Sequence, residues 1–288
     1  YSSERSVLDE AKSISIDYSL LEIDEIKAEI EKQGKIGSRQ GIEISPSEGE
    51  GDDLEIEDSP DNEDQVSEKE DEIATNSSDE KTVNDYRGQF AMYYARILFF
   101  SFLTDSRVKS LQEIISQIAI NTVNNRIAYH LSLNKETLEL FQKYINPFVL
   151  SELDYKIQNV NSLANDLTIA PIERASNAMK KFSRLSDSEI VTPGIVTDKL
   201  INAIPDDAIN NKTFLIDIAA KQGEFVYSVY KKYGRDVANK FYSIPTSNIA
   251  YEFTRKVYTL LELDLSHIEQ NYTSYDLIKE NDLIENET

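Results

Sequence analysis

The 288-residue chain predicts a mainly α protein with a partial α/β lobe, and three features point to that class. Apolar residues recur at helical spacing from about residue 84 to residue 182. From Asn211 onward, short β-favouring runs alternate with helical patterns, the order that parallel strands with crossover connections require. Between them and the N-terminus lies a stretch too polar to fold, so the parts are separable in sequence.

Residues 1–42 hold one amphipathic helix, with Leu20, Leu21, Ile23, Ile26 and Ile30 on one face and Gly34 and Gly37 ending it. Residues 43–83 read as a disordered acidic linker. From Glu43 to Glu80 there are 17 acidic residues against one basic residue, Lys69, and almost no aromatic residue to bury. That segment carries −16 of the net charge of −22, so the remainder is unremarkable for a folded surface.

Residues 84–186 read as a helical domain. The first helix spans 84–104, with Phe90, Tyr93, Tyr94, Ile97, Leu98 and Leu103 on one side and Arg87 and Arg96 at its polar margins. A second runs from Val108 to Asn121, and a third opens on Asn134 as N-cap and stops at Pro147. More helix follows from Val149 to Ala164, and Pro171 opens the last, which reaches Phe182. Residues 187–288 form the α/β part. A Thr192-Pro193 turn opens an amphipathic helix, followed by a strand Thr213–Asp217 and a helix Gln222–Tyr233. A strand Lys240–Ile244, a helix Asn248–Leu261 and a weak strand near Ser266–Glu269 complete the series.

The stretch Thr213-Phe214-Leu215-Ile216-Asp217-Ile218-Ala219-Ala220-Lys221-Gln222-Gly223-Glu224-Phe225 is a strand, a tight turn and a helix start. That geometry sets backbone N–H groups and a positive helix end at the carboxyl edge of a sheet, where cofactors bind. Many α/β proteins share it without a ligand, so its neighbours matter. Taken with Thr192-Pro193, Lys240-Phe241-Tyr242-Ser243-Ile244 and Asp276-Leu277, residues 188–277 resemble the cofactor half of adenine-specific DNA methyltransferases of restriction–modification systems. The resemblance implies an incomplete Rossmann-like methyltransferase sheet binding S-adenosylmethionine. Asp217, Ile218, Ala219 and Gly223 would form the cofactor loop, Thr192 and Pro193 would brace the methionine end, and Asp276 would lie near the adenine ring. Lys221 stands where the family usually has its first Gly, and Pro245 where it usually has an acidic residue holding the ribose hydroxyls. The runs Arg96–Thr104 and Leu153–Leu163 resemble the spacer between helicase and methylase modules of single-polypeptide restriction enzymes. By that resemblance the chain is an internal fragment, acting on double-stranded DNA within a protein or complex that supplies helicase and nuclease modules.

Several chemistries are excluded or unsupported. The absence of cysteine removes disulfides, thiolate metal sites and thiol nucleophiles. No GxxxxGK[ST] loop is present for helicase activity, and no Gly-x-Ser-x-Gly turn for hydrolysis. The family's Asn-Pro-Pro-aromatic tetrapeptide, which orients the target amino group, does not occur; Asn146-Pro147-Phe148 reads as a helix stop. No catalytic residue is therefore assigned. His130 and His267 lack partners at metal spacing and are expected in structural roles. Arg235, Lys240, Arg255 and Lys256 are candidates for phosphate contact, although scattered helical cations are usually solvated. No signal-peptide pattern or long apolar run is present, which predicts a cytoplasmic protein without membrane contact. Two readings follow: part of a DNA adenine methyltransferase, or a non-enzymatic helical coupling module with a degenerate Rossmann-like lobe.

Overall fold

The computed structural model describes Val7 and residues 91–186, 189–209, 212–271 and 273–274. The predicted helix of residues 1–42, the acidic linker and Asp276 lie outside the described residues. Between 91 and 274 the sequence has 20 basic and 20 acidic residues, so this part of the chain is charge-balanced.

Helix α1 (91–103) is the centre of the molecule. The sequence predicts an amphipathic helix with one apolar side, yet Ala95, Ile97, Leu98, Phe99, Phe100, Ser101 and Phe102 are all almost fully buried. The helix is wrapped rather than docked, as its Ile97–Leu103 run, apolar but for Ser101, already requires. Ser101 copes with burial by donating to Ile97 O one turn back, at 2.9 Å.

The surrounding helices start where local chemistry supplies a cap. α2 (Leu111–Ile120) begins at Ser110, whose hydroxyl accepts from Glu113 N. α3 (Thr122–His130) was not predicted. Its start is set by Asn121, which accepts from both Val123 N and Asn124 N. α4 (Lys135–Tyr144) opens on Asn134 as predicted. α5 (Pro147–Asn165) corrects the reading of Pro147 as a stop. Asn146 caps it by accepting from Phe148 N, and Pro147 takes the first turn, where its missing N–H costs nothing. α6 (Pro171–Lys181) starts on proline in the same way.

Asn161 of α5 ties this layer together. Its amide donates to Ser101 O at 2.8 Å and to Ser106 O at 3.0 Å, which fixes the end of α1 against α5.

The lobe follows as α7 (Gly194–Asn202), β1 (Leu215–Ala220), α8 (Glu224–Tyr233), the short α9 (Arg235–Ala238), β2 (Phe241–Pro245) and α10 (Asn248–Leu260). β1 and β2 pair in parallel with Leu215 opposite Phe241, Ile216 opposite Tyr242 and Asp217 opposite Ser243. An irregularity after Asp217 then brings Ala220 opposite Pro245. The predicted third strand is reduced to one parallel bridge, Ser243 to Ile268, after a 3₁₀ turn at Leu265–His267. Among the described residues the sheet thus has two strands. Its inner face carries buried Phe241 and Ser243, while Phe214, Ile216 and Ile218 are more than 60% exposed on the other side.

α10 joins the two parts. Its Phe253 lies against Phe99, Phe102 and Phe182 with ring centroids 5.1–5.8 Å apart. Buried Lys256 donates to Thr104 O at 3.1 Å and to Asp105 Oδ1 at 2.7 Å, closing the end of α1. Glu252, 2% exposed, accepts from Arg126 Nε at 3.0 Å and pairs with His130 Nδ1 at 2.6 Å, both on α3. Burial alone would push the Glu252 carboxyl up, but the hydrogen bonds from His130 and Arg126 outweigh it and hold the group below the usual carboxylate range. His130 therefore has the structural role expected of it.

A group held below its unfolded value stabilises the fold above that value and loses the contribution as pH falls through the folded one. Glu252→Gln should therefore cost about 2 kcal/mol at neutral pH, reduced from the fully buried case because Arg126 is partly solvated. In urea denaturation the difference between the proteins should shrink as pH falls below 4.5. A variant as stable as the parent at pH 7 would show that the cluster does not hold α10 to α3.

Candidate functional site

The turn between β1 and α8 is shaped by alternation along the strand. Ile216 and Ile218 point to the open face, so Leu215 and Asp217 point inward, toward α10. Asp217 was predicted to close the strand; instead β1 continues to Ala220, and Asp217 sits opposite Ser243 on the covered side. Its Oδ1 accepts from Ala219 N at 3.0 Å, whereas Oδ2 is shut off from solvent with no hydrogen-bond partner. Burial raises the carboxyl to about 6; nearby Glu224 adds to the rise, while the Ala219 N–H and Lys221 oppose it. Tyr258 lies within electrostatic reach. Its hydroxyl donates to Phe241 O at 2.9 Å, and burial holds it protonated well above the ordinary range.

Gly223 ends the turn as the N-cap of α8, with φ +76°. A Cβ there would come within 3.3 Å of both Val226 Cγ1 and Val257 Cγ1. The glycine is thus explained by a left-handed backbone and by the close approach of α10, without a ligand. The first turn of α8 is also taken: buried Glu224 turns back so that Oε2 accepts from Gln222 N at 3.1 Å. The predicted positive helix end is therefore covered by the chain's own carboxylate. An anionic ligand group would meet repulsion here, and a cationic one would not.

The Thr192-Pro193 turn opens α7, as the sequence predicts. Pro193 is the N-cap of α7, its carbonyl accepting from Val196 N and Thr197 N. α7 is fastened to α8 by Thr197 Oγ1 to Ser228 Oγ at 2.9 Å and by Asp198, which accepts from Ser228 Oγ and Lys231 Nζ. Lys221, at the position of the family's first glycine, reaches across to donate to Ile190 O at 2.6 Å. The segment before Thr192 therefore crosses the carboxyl end of β1. Thr192 is half-buried and Pro193 exposed.

At the carboxyl end of β2, Thr246 N donates to Ala220 O at 3.0 Å and joins the two strand ends. Pro245 offers no side-chain acceptor. A carboxylate arrives there all the same: Glu189 accepts from Thr246 Oγ1 at 2.6 Å and from Ser247 Oγ at 3.1 Å. Sequence reasoning missed Glu189, which is 57 and 58 residues from its two partners and belongs to no motif. Glu189 and Ile190 thus meet the end of β2 and Lys221 of the β1–α8 turn, whereas Ile218 and Ala219 are exposed.

Two of the four candidate phosphate contacts are engaged within the chain. Lys256 is buried against Thr104 and Asp105, and Arg235 pairs with Glu262 at 3.0 Å on another part of the surface. His267 stacks on Tyr242 with centroids 4.2 Å apart. Among the described residues no three His, Asp or Glu side chains come together to hold a metal, and no helix is long and apolar enough to cross a membrane.

Two outcomes follow from this geometry. A carboxyl raised above its unfolded value favours the fold at low pH and opposes it once ionised, so the favourable term is lost as pH rises through about 6. Asp217→Asn should therefore be more stable than the parent by about 2 kcal/mol at pH 7.5, with the gap closing near pH 4 in urea denaturation. Gly223→Ala should cost about 1–3 kcal/mol, read as a lowered melting temperature. Comparison with protein-family models, with curated proteins and with solved structures finds no match to this chain.

Proposed function

We propose that this chain carries the cofactor-binding part of an S-adenosylmethionine-dependent DNA adenine methyltransferase of a restriction–modification system. The observation that supports the reading most directly is the pair of carboxylates under the β1–α8 turn. Asp217 has a buried oxygen without a partner, and Glu224 covers the helix end. A dinucleotide cofactor brings a pyrophosphate to such a turn and needs bare N–H groups. A sulfonium cofactor with an ammonium group suits a turn lined by carboxylates. The segment leading into Thr192-Pro193, whose Ile190 carbonyl accepts from Lys221 of the turn, and a parallel β–α–β unit behind it are consistent with the same ligand.

Transfer itself needs the adenine to leave the duplex and its amino group to be oriented. With no Asn-Pro-Pro-aromatic in the sequence, the chain would supply the donor site while other polypeptide supplies the base pocket, the helicase and the nuclease. The open sheet face supports such joining: Phe214, Ile216, Ile218 and Tyr242 form an apolar surface, and parallel sheets are normally covered on both sides. One set of observations favours the second reading, a coupling module with a degenerate lobe. Gly223 is fully accounted for by packing, and Lys221 spends its ammonium on Ile190 O.

Calorimetric titration with S-adenosylmethionine separates the two. Under the first reading the parent binds and Asp217→Ala does not, while incubation with labelled cofactor and adenine-containing duplex gives no transfer. A folded parent that gives no binding heat favours the coupling module, or a pocket completed by other polypeptide.

A further inference from the structure

Glu189 is a carboxylate held by hydroxyl groups. Its two oxygens accept from the Thr246 and Ser247 hydroxyls, and among the described residues no Lys, Arg or His lies at ion-pair distance. Each carboxylate oxygen has two acceptor sites, and among the described residues one on each is filled. The backbone around it is pinned: Glu189 N donates to Ser186 Oγ at 3.0 Å, Leu185 N donates to Glu189 O at 2.9 Å, and Lys221 holds the next carbonyl. The side chain is half-buried, and Ile190 beside it is 59% exposed, so the segment does not seal the strand ends.

The location gives this carboxylate a purpose. In open α/β sheets ligands lie outside the carboxyl ends of the strands, and an acidic group beyond the second strand receives ribose hydroxyls. Here β2 ends in Pro245, which cannot do so. The next two residues, Thr246 and Ser247, instead hold the carboxylate of Glu189 at that end. A vicinal diol donates two parallel O–H bonds and matches the two oxygens of a carboxylate.

We infer that Glu189 receives the ribose hydroxyls of a nucleoside-containing ligand, in the place that Pro245 leaves without an acceptor. The inference rests on reading the strand edge as the S-adenosylmethionine site, and it adds a residue that no motif supplies. Thr246 and Ser247 are then positioning residues, which aim the carboxylate without touching the ligand.

Calorimetry on the full chain tests this with S-adenosylmethionine, adenosine and 2′,3′-dideoxyadenosine, for the parent, Glu189→Gln, Thr246→Val and Asp217→Ala. The parent should bind adenosine at least tenfold more tightly than the dideoxy compound. Glu189→Gln should weaken S-adenosylmethionine about tenfold or more and abolish the preference for the diol. Thr246→Val, which frees the carboxylate but keeps it, should lose part of the preference. Melting curves for each variant control for folding, since a purely structural role would lower stability and leave the diol preference intact. If Asp217→Ala abolishes binding while Glu189→Gln binds like the parent with its diol preference unchanged, the edge is the cofactor site and Glu189 has no part in it. If the folded parent binds none of the three, the cofactor reading and this inference both fall.

Discussion

Four phenylalanines hold the molecule together. Phe99 and Phe102 come from α1, Phe182 from the end of α6, and Phe253 from α10, and every ring touches at least two others at centroid distances between 4.8 and 5.8 Å. Edge-on contacts, such as Phe99 against Phe253 at 85°, set the positive rim of one ring to the negative face of the other. The cluster matters because α10 is also the inner wall of the α/β lobe. Its orientation against α1 decides where Val257 meets Gly223 and where Tyr258 meets Ser243, so the turn that forms the candidate site is positioned from the helical side.

Polar groups reinforce that joint without creating it. Lys256 and Glu252 are both buried on α10, and each is neutralised by the helical part, through Asp105 and through Arg126 with His130. Ionic groups contribute little net stability when buried, but their geometric demands admit one arrangement and reject others. The helical part and the lobe are accordingly fixed in register by charges and driven together by aromatic area.

The candidate site inherits a tension from this design. Asp217 is held ionisable on the covered side of β1, near Glu224 and with one oxygen unpartnered, at a cost to stability that packing elsewhere must offset. Unfavourable buried carboxylates cluster where binding or chemistry occurs, which is why this turn stands out among the described residues. Glu224 makes the turn selective by charge, since its carboxylate takes the N–H that an anionic ligand would use.

Much of the secondary structure was legible in residue patterns, because caps and periodicity are local. Asn134 announced α4, Pro171 announced α6, and the β–α–β order around residues 213–261 followed from alternation. Local rules also failed where two signals competed. Pro147 fits a stop and a first turn equally well, and only the Asn146 side chain, accepting from Phe148 N, decides for the start. α3 is polar by composition, and its helix is stabilised by Ile127 and Ala128 packing inward. The sequence alone determined the helical class and the order of the parallel pair. Tertiary structure alone decided that α1 is buried all round, that Asp217 faces inward and that Glu189 reaches the end of β2. Burial direction and contacts between residues 57 positions apart depend on which surfaces meet, and no local pattern records that.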